Sequence, residues 1–96
     1  MNSGAVRWLF VAALLLAMPM AGYAQEKRAD REYADWNDAR AAELYEKAIA
    51  KAPTQELYYK LGRTYQGMKE FDKALVNYEK VRELGAYPDP EFYLNY

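Results

Sequence analysis

Residues 58–78 read YYKLGRTYQGMKEFDKALVNY, and this stretch decides the fold. In its first half, apolar residues and a glycine recur at steps of three and four, namely Tyr58, Leu61, Gly62 and Tyr65. The second half has the same kind of spacing, at Phe71, Ala74, Leu75 and Tyr78. Residues spaced in this way lie on one face of an α-helix, and Gly67 with its neighbours can reverse the chain between the halves. The stretch therefore predicts two helices that pack against each other through these faces.

Two small residues lie within those faces, Gly62 in the first and Ala74 in the second. Small side chains let two helix backbones approach closely while larger rings fill the space beside them. The order Y-x2-L-G-x2-Y from Tyr58, followed by A-x3-Y from Ala74, resembles the tetratricopeptide (TPR) repeat. That repeat reads W-x2-L-G-x2-Y, then A-x3-F, then a closing proline, over about 34 residues. Tyrosine stands for the Trp and the Phe, and the closing proline comes late, at Pro88. The resemblance implies an all-α fold of antiparallel helix-turn-helix repeats, a short α-solenoid.

A weaker copy of the pattern lies earlier in the chain. Its matches, each 33 positions before the counterpart, are Ala41 with Ala74, Tyr45 with Tyr78, Lys47 with Lys80, and Ala48 with Val81. We call this displacement one period. Ala29 precedes the glycine of the complete copy by one period, and Pro53 takes the place of the closing proline. Asp38 stands where Phe71 stands in the complete copy, so we expect Trp36 to supply the missing ring.

The repeats divide the chain after residue 24 into three parts. Residues 25–54 form a degenerate TPR-like repeat, and residues 55–88 form a complete one. Residues 89–96 begin a further repeat, because Glu-Phe-Tyr at 91–93 matches Glu-Leu-Tyr at 56–58. This last part ends after about two helical turns. We therefore expect its aromatic residues, Phe92, Tyr93 and Tyr96, to lack a partner helix.

Capping residues and helix breakers set the predicted helix boundaries. The pattern predicts helices over residues 38–52, 55–66 and 70–84. Thr54 is suited to cap the second of these, and Gly85 to end the third in a left-handed conformation. Asp89 followed by Pro90 is typical of a helix start, so another helix should begin there.

The start of the helix over residues 38–52 has two interpretations. Asn37 or Asp38 could cap it, since both residue types accept hydrogen bonds from the first backbone N–H groups of a helix. Alternatively, residues 31–52 form a single helix, because neither proline nor glycine interrupts that range.

Residues 1–24 have the composition of a secretory signal peptide. Arg7 precedes an apolar run over residues 8–18, a proline breaks the run, and small residues follow. We predict cleavage between Ala24 and Gln25, in a protein exported across the inner membrane. The alternative is a membrane anchor, but the run of about 11 residues is short of the roughly 20 that a spanning helix needs. After cleavage we expect no membrane span.

The composition excludes several classes of function. The 96 residues carry 13 basic and 14 acidic side chains, a formal net charge of −1, so the overall charge does not attract nucleic acid. The chain contains no cysteine and no histidine, which excludes disulfides, Cys/His metal sites, catalytic thiols and imidazole bases. Acidic pairs such as Glu43 with Glu46, or Asp35 with Asp38, are better explained as solvated faces beside basic residues such as Arg40. We predict no catalytic residue, metal or cofactor.

The other side of the central helix carries the candidate binding residues, Glu56, Tyr59, Arg63 and Gln66. They recur at three- and four-residue steps, and they cannot belong to the core if Tyr58, Leu61 and Tyr65 do. In TPR proteins the matching positions on the first helix of each repeat line a groove that holds peptides. The resemblance therefore implies that these four residues bind a partner. The alternative is a solvated face without a binding function.

The resemblance to TPR proteins implies an adaptor without enzymatic activity. A leader followed at once by repeats also resembles the amino-terminal segment of OmpA-family envelope proteins. That layout implies a location in the periplasm or at the periplasmic face of the outer membrane. We therefore expect a protein or peptide partner in the cell envelope, with the module as part of an envelope or secretion scaffold. The alternatives are the docking arm of an enzyme whose catalytic domain lies beyond residue 96, and a small self-associating helical protein.

Overall fold

The computed structural model describes residues 22–95, and every regular element in that range is a helix. Five helices follow one another there: the described part of α1 over residues 22–34, α2 Asp38–Lys51, α3 Gln55–Gly67, α4 Phe71–Glu83 and α5 Pro90–Asn95. The predicted all-α fold class is therefore confirmed. Most of the predicted leader, as well as Tyr96, lies outside the described residues. From residue 22 to residue 95, no helix is long and apolar enough to cross a membrane.

Helices α2, α3 and α4 agree with the predicted ranges to within one residue at each end. Thr54 caps α3 as predicted, because its Oγ1 accepts a hydrogen bond from the backbone N–H of Leu57 at 3.1 Å. Asp89 caps α5 by accepting from the N–H of Glu91 at 3.0 Å. Gly85 follows α4 with a φ of 119°, which is the left-handed conformation expected at a helix end.

Helix α1 ends at residue 34 and α2 begins at Asp38, so the alternative of one helix over residues 31–52 is wrong. Trp36 lies in the turn between them with a φ of 62°, and its side chain is exposed. It therefore does not supply a ring to the core, contrary to the prediction. Asn37 precedes α2 but does not cap it through its side chain, and its Nδ2 donates to Glu32 Oε2 at 2.9 Å.

The α1–α2 turn and the α3–α4 turn are the same structure, displaced by one period. Trp36 and Lys69 both have a φ of 62°. The backbone N–H of Asn37 donates to the carbonyl of Glu32 at 2.9 Å, and the N–H of Glu70 donates to the carbonyl of Tyr65 at 2.9 Å. A hydrogen bond of this span closes a helix that ends in a left-handed residue. Each turn therefore ends one helix and starts the next in the same way.

Each of these turns joins two antiparallel helices. In the first pair, the Tyr45 hydroxyl on α2 donates to Asp30 Oδ1 on α1, and Ala29 is completely buried. In the second pair, the ring of Tyr78 on α4 lies against Gly62 on α3, so closely that a Cβ at Gly62 would lie 2.6 Å from it. The close approach predicted from the small residue at Gly62 is confirmed.

The two pairs and α5 lie side by side. Lys60 Nζ on α3 contacts Glu26 Oε2 and Asp30 Oδ2 on α1 at 2.7 and 3.2 Å. The Tyr59 hydroxyl on α3 donates to Glu91 Oε2 on α5 at 3.4 Å. These partners are 34, 30 and 32 residues apart in the sequence. Helices α1, α3 and α5 therefore form one row, and α2 and α4, which both pack against α3, form a second row.

The core lies between the rows and differs from the predicted faces at several positions. The residues buried as predicted are Leu61, Gly62, Tyr65, Ala74 and Tyr78. Phe71 and Leu75 are exposed, contrary to the prediction. Phe71 is the first residue of α4, so it lies beside the α3–α4 turn and not beside α3. Leu75 lies about 100° around the helix from the buried Ala74. Asn77 and Val81 complete the buried face of α4 instead, and Tyr58 is only half-buried.

Phe92 on the short α5 is buried, although the pattern predicted that it would lack a partner helix. Its ring packs edge-on against the rings of Tyr59 and Tyr78, with centroid distances of 6.1 and 5.7 Å. Tyr87, in the loop before α5, lies 5.8 Å from Phe92 and 5.1 Å from Tyr59. The cluster ties α5 to both α3 and α4, while Tyr93 remains exposed.

Candidate interaction face

The row of α1, α3 and α5 combines predicted binding residues of α3 with side chains of its two neighbours. We define the α1–α3–α5 face by eight residues: Glu26, Asp30 and Tyr33 of α1; Glu56, Lys60 and Arg63 of α3; and Asp89 and Glu91 at the start of α5. Of the four predicted residues, Glu56 and Arg63 belong to this face. Tyr59 and Gln66 are used in packing between helices.

Tyr59 is only 3% exposed, so the prediction that it offers its ring to a partner is wrong. Its ring contacts those of Tyr78, Tyr87 and Phe92. The prediction assumed that α3 is covered on one side, whereas the loop before α5 and α5 itself cover another side. Phe92 matches Leu57 in the sequence pattern, and since both are buried this match could have revealed that α5 packs onto the core.

Gln66 and Glu56 have different surroundings. Gln66 is half-buried, and its Oε1 accepts a hydrogen bond from the Tyr78 hydroxyl at 2.7 Å. It therefore holds α4 against α3. Glu56 is exposed, and its Oε1 lies 3.7 Å from Lys60 Nζ. Glu56 thus remains at the surface, where a partner could reach it.

Lys60 joins α1 to α3 at the centre of the face. It contacts three carboxylates, those of Glu26, Asp30 and Glu56, and its side chain is mostly buried. Burial by itself lowers the pKa of Lys60, but the hydrogen bonds to Glu26 and Asp30 outweigh that effect and raise the pKa. Lys60 is therefore charged and already paired within the chain. The α3 pattern alone could not predict this role, because two of the partners come from the preceding helix pair.

Arg63 lies between aromatic rings of two helices. Its guanidinium carbon is 4.3 Å from the centroid of the Tyr33 ring and 5.8 Å from that of Tyr59. A guanidinium over a ring face is attracted to the negative π surface, and its plane is held in place. The Arg63 Nε is buried and has no hydrogen-bond acceptor among the described residues. A partner oxygen cannot reach this buried Nε, and could contact Arg63 only through the exposed part of its half-buried side chain.

The face is acidic although the chain as a whole is nearly neutral. Its five carboxylates are Glu26, Asp30, Glu56, Asp89 and Glu91, and its two cations are Lys60 and Arg63. The whole chain, by contrast, has a formal net charge of −1. The carboxylates come from three separate helices and a loop, so no charged run in the sequence predicts this excess.

These charges contribute to raised pKa values of two tyrosines that lie under the face. Burial first, and then the charges of Glu56 and Asp89, raises the pKa of Tyr87 to about 12. Burial, followed by the charges of Asp89 and Glu91, also raises the pKa of Tyr59. Both hydroxyls therefore stay neutral well above physiological pH, and the negative charge of the face is carried by carboxylates alone.

Other candidate residues have structural or surface positions. Arg40 and Glu43 form the expected surface ion pair at 3.0 Å, and Glu46 accepts a hydrogen bond from the Tyr65 hydroxyl. Among residues 22–95, no three acidic side chains are grouped so that they could hold a metal ion. Ala24 and Gln25, which flank the predicted cleavage site, both lie within α1.

Comparisons of the chain with protein-family models, with curated proteins and with solved structures find no match. Its function therefore has to be inferred from the repeated turn, the two rows of helices and the charge of the α1–α3–α5 face.

Proposed function

We propose that the protein is a non-enzymatic interaction module built from TPR-like repeats, which binds a segment of a partner protein on the α1–α3–α5 face. The observation that carries the proposal is the repetition of one turn after one period, with φ of 62° at both Trp36 and Lys69. That period is close to the repeat length of the TPR, which is about 34 residues. In TPR proteins the first helix of each repeat lines the peptide groove, and α1, α3 and α5 take that place here.

The buried residues support the same repeat. Three matched pairs are buried in both copies: Ala41 with Ala74, Tyr45 with Tyr78, and Ala48 with Val81. Members of each pair are one period apart, so the same spacing that repeats the turn also repeats the packing. Repeats of this kind bury their faces only by stacking on one another, which leaves one side of each row open to a ligand.

The charge of the face favours a partner segment that carries Lys or Arg side chains. Oppositely charged surfaces steer association and suppress wrong partners. Arg63 would add a contact of another kind, since its plane is held by Tyr33 and its side chain is only half-buried. A carboxylate or carbonyl oxygen of the partner fits the exposed part of this guanidinium. The segment would thus place basic side chains on Glu56 and Asp89 and one oxygen on Arg63.

The leader predicted over residues 1–24 favours a location in the periplasm or at the periplasmic face of the outer membrane. We infer a role as a scaffold in an envelope or secretion assembly, with the partner in the same compartment. The amino-terminal segment of OmpA-family proteins, which the leader followed by repeats resembles, occupies that location. This assignment is supported by the leader pattern, and the helices add only the binding surface.

The binding proposal is tested by capture of partners from an envelope extract. The parent protein, Arg63→Ala and the double variant Glu56→Gln with Asp89→Asn would be immobilised, and the captured proteins identified and titrated. We expect Arg63→Ala to weaken binding by about 1–3 kcal/mol, because a charge-assisted hydrogen bond is lost. The double variant should weaken binding mainly at low salt, where charge attraction acts over a longer distance.

Glu43→Gln is the matched control, because Glu43 is an exposed carboxylate on α2, in the other row. It should leave binding unchanged. Circular dichroism of every variant would verify that the helices are intact. If both face variants capture the same proteins with the same affinity as the parent, the α1–α3–α5 face is a solvated surface and the proposal is wrong.

A further inference from the structure

The charges of the α1–α3–α5 face are unevenly distributed between its two sides. On the side of α1, Glu26 and Asp30 accept hydrogen bonds from Lys60 at 2.7 and 3.2 Å. Arg63, the other cation of the face, also lies on this side, since its guanidinium carbon is 4.3 Å from the centroid of the Tyr33 ring of α1. The α1 side therefore has as many cations as carboxylates.

The side of α5 carries the other three carboxylates, Glu56, Asp89 and Glu91, which we call the α3–α5 seam. No described Lys or Arg forms an ion pair with Asp89 or Glu91. The Glu56 side chain is 61% exposed, and its Oε1 lies 3.7 Å from Lys60 Nζ, farther than either carboxylate of α1. Burial raises the pKa of Tyr87, and the charges of Glu56 and Asp89 raise it further, so both carboxylates lie near this ring. The acidic excess of the face is thus concentrated at the seam.

Lys60 makes the carboxylates of α1 difficult for another cation to reach. The side chains of Lys60 and Glu26 are each only 17% exposed, so this pair is shielded from solvent. A partner cation would have to displace Lys60 and leave its charge uncompensated, and breaking a shielded pair costs much more than a surface pair contributes. At the α3–α5 seam a cation meets exposed carboxylates and displaces no ion pair of Asp89 or Glu91.

We propose that Lys60 is a specificity-determining residue, which occupies the carboxylates of α1 and thereby directs a Lys or Arg side chain of the partner segment to the α3–α5 seam. The proposal rests on the proposed function and deepens it, because it names the side of the face that takes the positive charge of the partner. The α1 side, where Arg63 lies, remains for an oxygen of the partner. A bound segment therefore has one direction across the row, with its basic side chain towards α5.

Removal of the Lys60 charge tests the proposal. The probe is a fluorescein-labelled oligolysine peptide, and its binding would be followed by fluorescence anisotropy with protein from cells that express the full 96-residue chain. Lys60→Met keeps an apolar stem without the ammonium group, which opens Glu26 and Asp30 to the probe. We expect the affinity to rise by about threefold or more at low salt, and by less at high salt. If Lys60 only held α1 against α3, its removal would leave binding unchanged or weaken it.

Lys80→Met is the matched control, because Lys80 is an exposed lysine of α4, in the other row. Its removal changes the net charge of the protein by the same amount, but it opens no carboxylate of the face. It should therefore raise the affinity for oligolysine less than Lys60→Met does. An equal gain in both variants overturns the proposal, since net charge alone would explain it. An unchanged or weaker affinity of a Lys60→Met protein that circular dichroism shows to be helical overturns it as well.

Single carboxylate variants test the same point in a chain that keeps Lys60. Asp89→Asn should weaken oligolysine binding more than Glu26→Gln does, because Glu26 is already paired, and Asn can still cap α5. In the Lys60→Met background, Glu26→Gln should remove most of the gain. Equal losses from the two single variants overturn the proposal even if Lys60→Met does not fold.

Failure of this proposal is distinguishable from failure of the proposed function. If neither the parent nor Lys60→Met binds oligolysine, Lys60 directs no cation and the present proposal is wrong. The capture of partners by the parent and by Arg63→Ala still decides whether the α1–α3–α5 face binds a protein segment.

Discussion

Tyr45 on α2 and Tyr78 on α4 stand at the same position of the two helix pairs, one period apart, and both rings are buried. Their hydroxyls, however, meet different groups. The Tyr45 hydroxyl donates to the carboxylate of Asp30, and that of Tyr78 donates to the side-chain amide oxygen of Gln66. The repeat thus determines where the ring lies, while the partner of the hydroxyl is chosen separately in each pair.

The two pairs also differ at the small residue of their first helix. Ala29 on α1 keeps its methyl group in a completely buried place. Its counterpart on α3 is Gly62, where a Cβ would lie 2.6 Å from the Tyr78 ring. In the second pair a ring therefore contacts the helix backbone directly, whereas the first pair has a buried methyl group at the matched position. The comparison teaches that matched sequence positions do not imply equal tolerance of substitution.

The largest effect is expected from Gly62→Leu. The new side chain would occupy the space of the Tyr78 ring, which cannot move aside easily because the rings of Tyr59 and Phe92 pack against it. Overpacking costs about 1–3 kcal/mol and occasionally more, and a chain of this size has little stability in reserve. We expect loss of the helical circular dichroism signal at room temperature.

Ala29→Gly makes the opposite change, from larger to smaller, at the matched position of the first pair. It removes a buried methyl group and should cost about 1.5–2 kcal/mol, the sum of lost burial and lost helix propensity. The protein should stay folded, with a lower midpoint in urea. If Gly62→Leu folds as well as the parent, the close approach of α3 and α4 is not needed for the fold. If Ala29→Gly unfolds the protein, the first pair tolerates substitution less well than the second.

The second prediction concerns high pH. Burial raises the pKa of Tyr78 to about 12, and burial together with the hydrogen bond and charge of Asp30 raises the pKa of Tyr45 further. Both hydroxyls have an ordinary pKa of 10.0, so their neutral forms stabilise the fold fully below that pH. This stabilisation is lost as the pH rises from 10 towards the folded pKa. Tyr78 should therefore ionise before Tyr45, and the second pair should open first.

Urea titrations at increasing pH would measure this loss. The free energy of unfolding should be constant below pH 10 and should then fall as the pH approaches 12. Tyr78→Phe should make the fall shallower, because one ionising hydroxyl has been removed. Tyrosinate absorbance of the parent, Tyr78→Phe and Tyr45→Phe, followed in parallel, would assign the ionisation of each hydroxyl by difference. A free energy that stays constant to pH 12 would contradict the prediction.

Helix positions could be predicted because their signals are local. Thr54, Gly85 and Asp89 act through hydrogen bonds or backbone angles within a few residues, so the sequence predicts them directly. The contact of Gly62 with Tyr78 was also predictable, because a short turn brings neighbouring helices together. The interruption before α2 was predicted, with a continuous helix as the alternative, but the left-handed conformation of Trp36 was not, since a tryptophan there carries no glycine or proline signal.

The candidate site was harder to predict because it is formed by residues about one repeat apart. Tyr59 is buried by residues of the next unit, and Lys60 is paired by residues of the preceding one. A helix considered alone shows only one apolar stripe, whereas α3 is covered on several sides. The acidic excess of the face is likewise assembled from separate helices. Arg63 was predicted at the surface with a binding role, and its stacking on Tyr33 was not predicted.

The smallest effects are expected from removing the two hydroxyls. Tyr45→Phe leaves an oxygen of Asp30 without its donor, and losing a hydrogen bond to a charged acceptor costs about 1.5–3 kcal/mol. Lys60 still pairs with the other oxygen of Asp30 at 3.2 Å, so we expect a loss at the lower end of that range. Tyr78→Phe leaves the neutral, half-buried oxygen of Gln66, which water can reach. That loss should be about 0.5–1 kcal/mol.

Chemical denaturation of the two variants beside Tyr58→Phe would rank these losses. Tyr58 is half-buried and has no hydroxyl hydrogen bond among the described residues, so its variant reports the cost of losing a hydroxyl alone. If Tyr78→Phe costs as much as Tyr45→Phe, the charge of Asp30 adds nothing to the first pair. The difference between the pairs would then lie only in the small residue of the first helix, Ala29 or Gly62. If Tyr45→Phe costs more, the carboxylate strengthens the pair that lacks the close glycine contact, and the two pairs reach similar stability by different means.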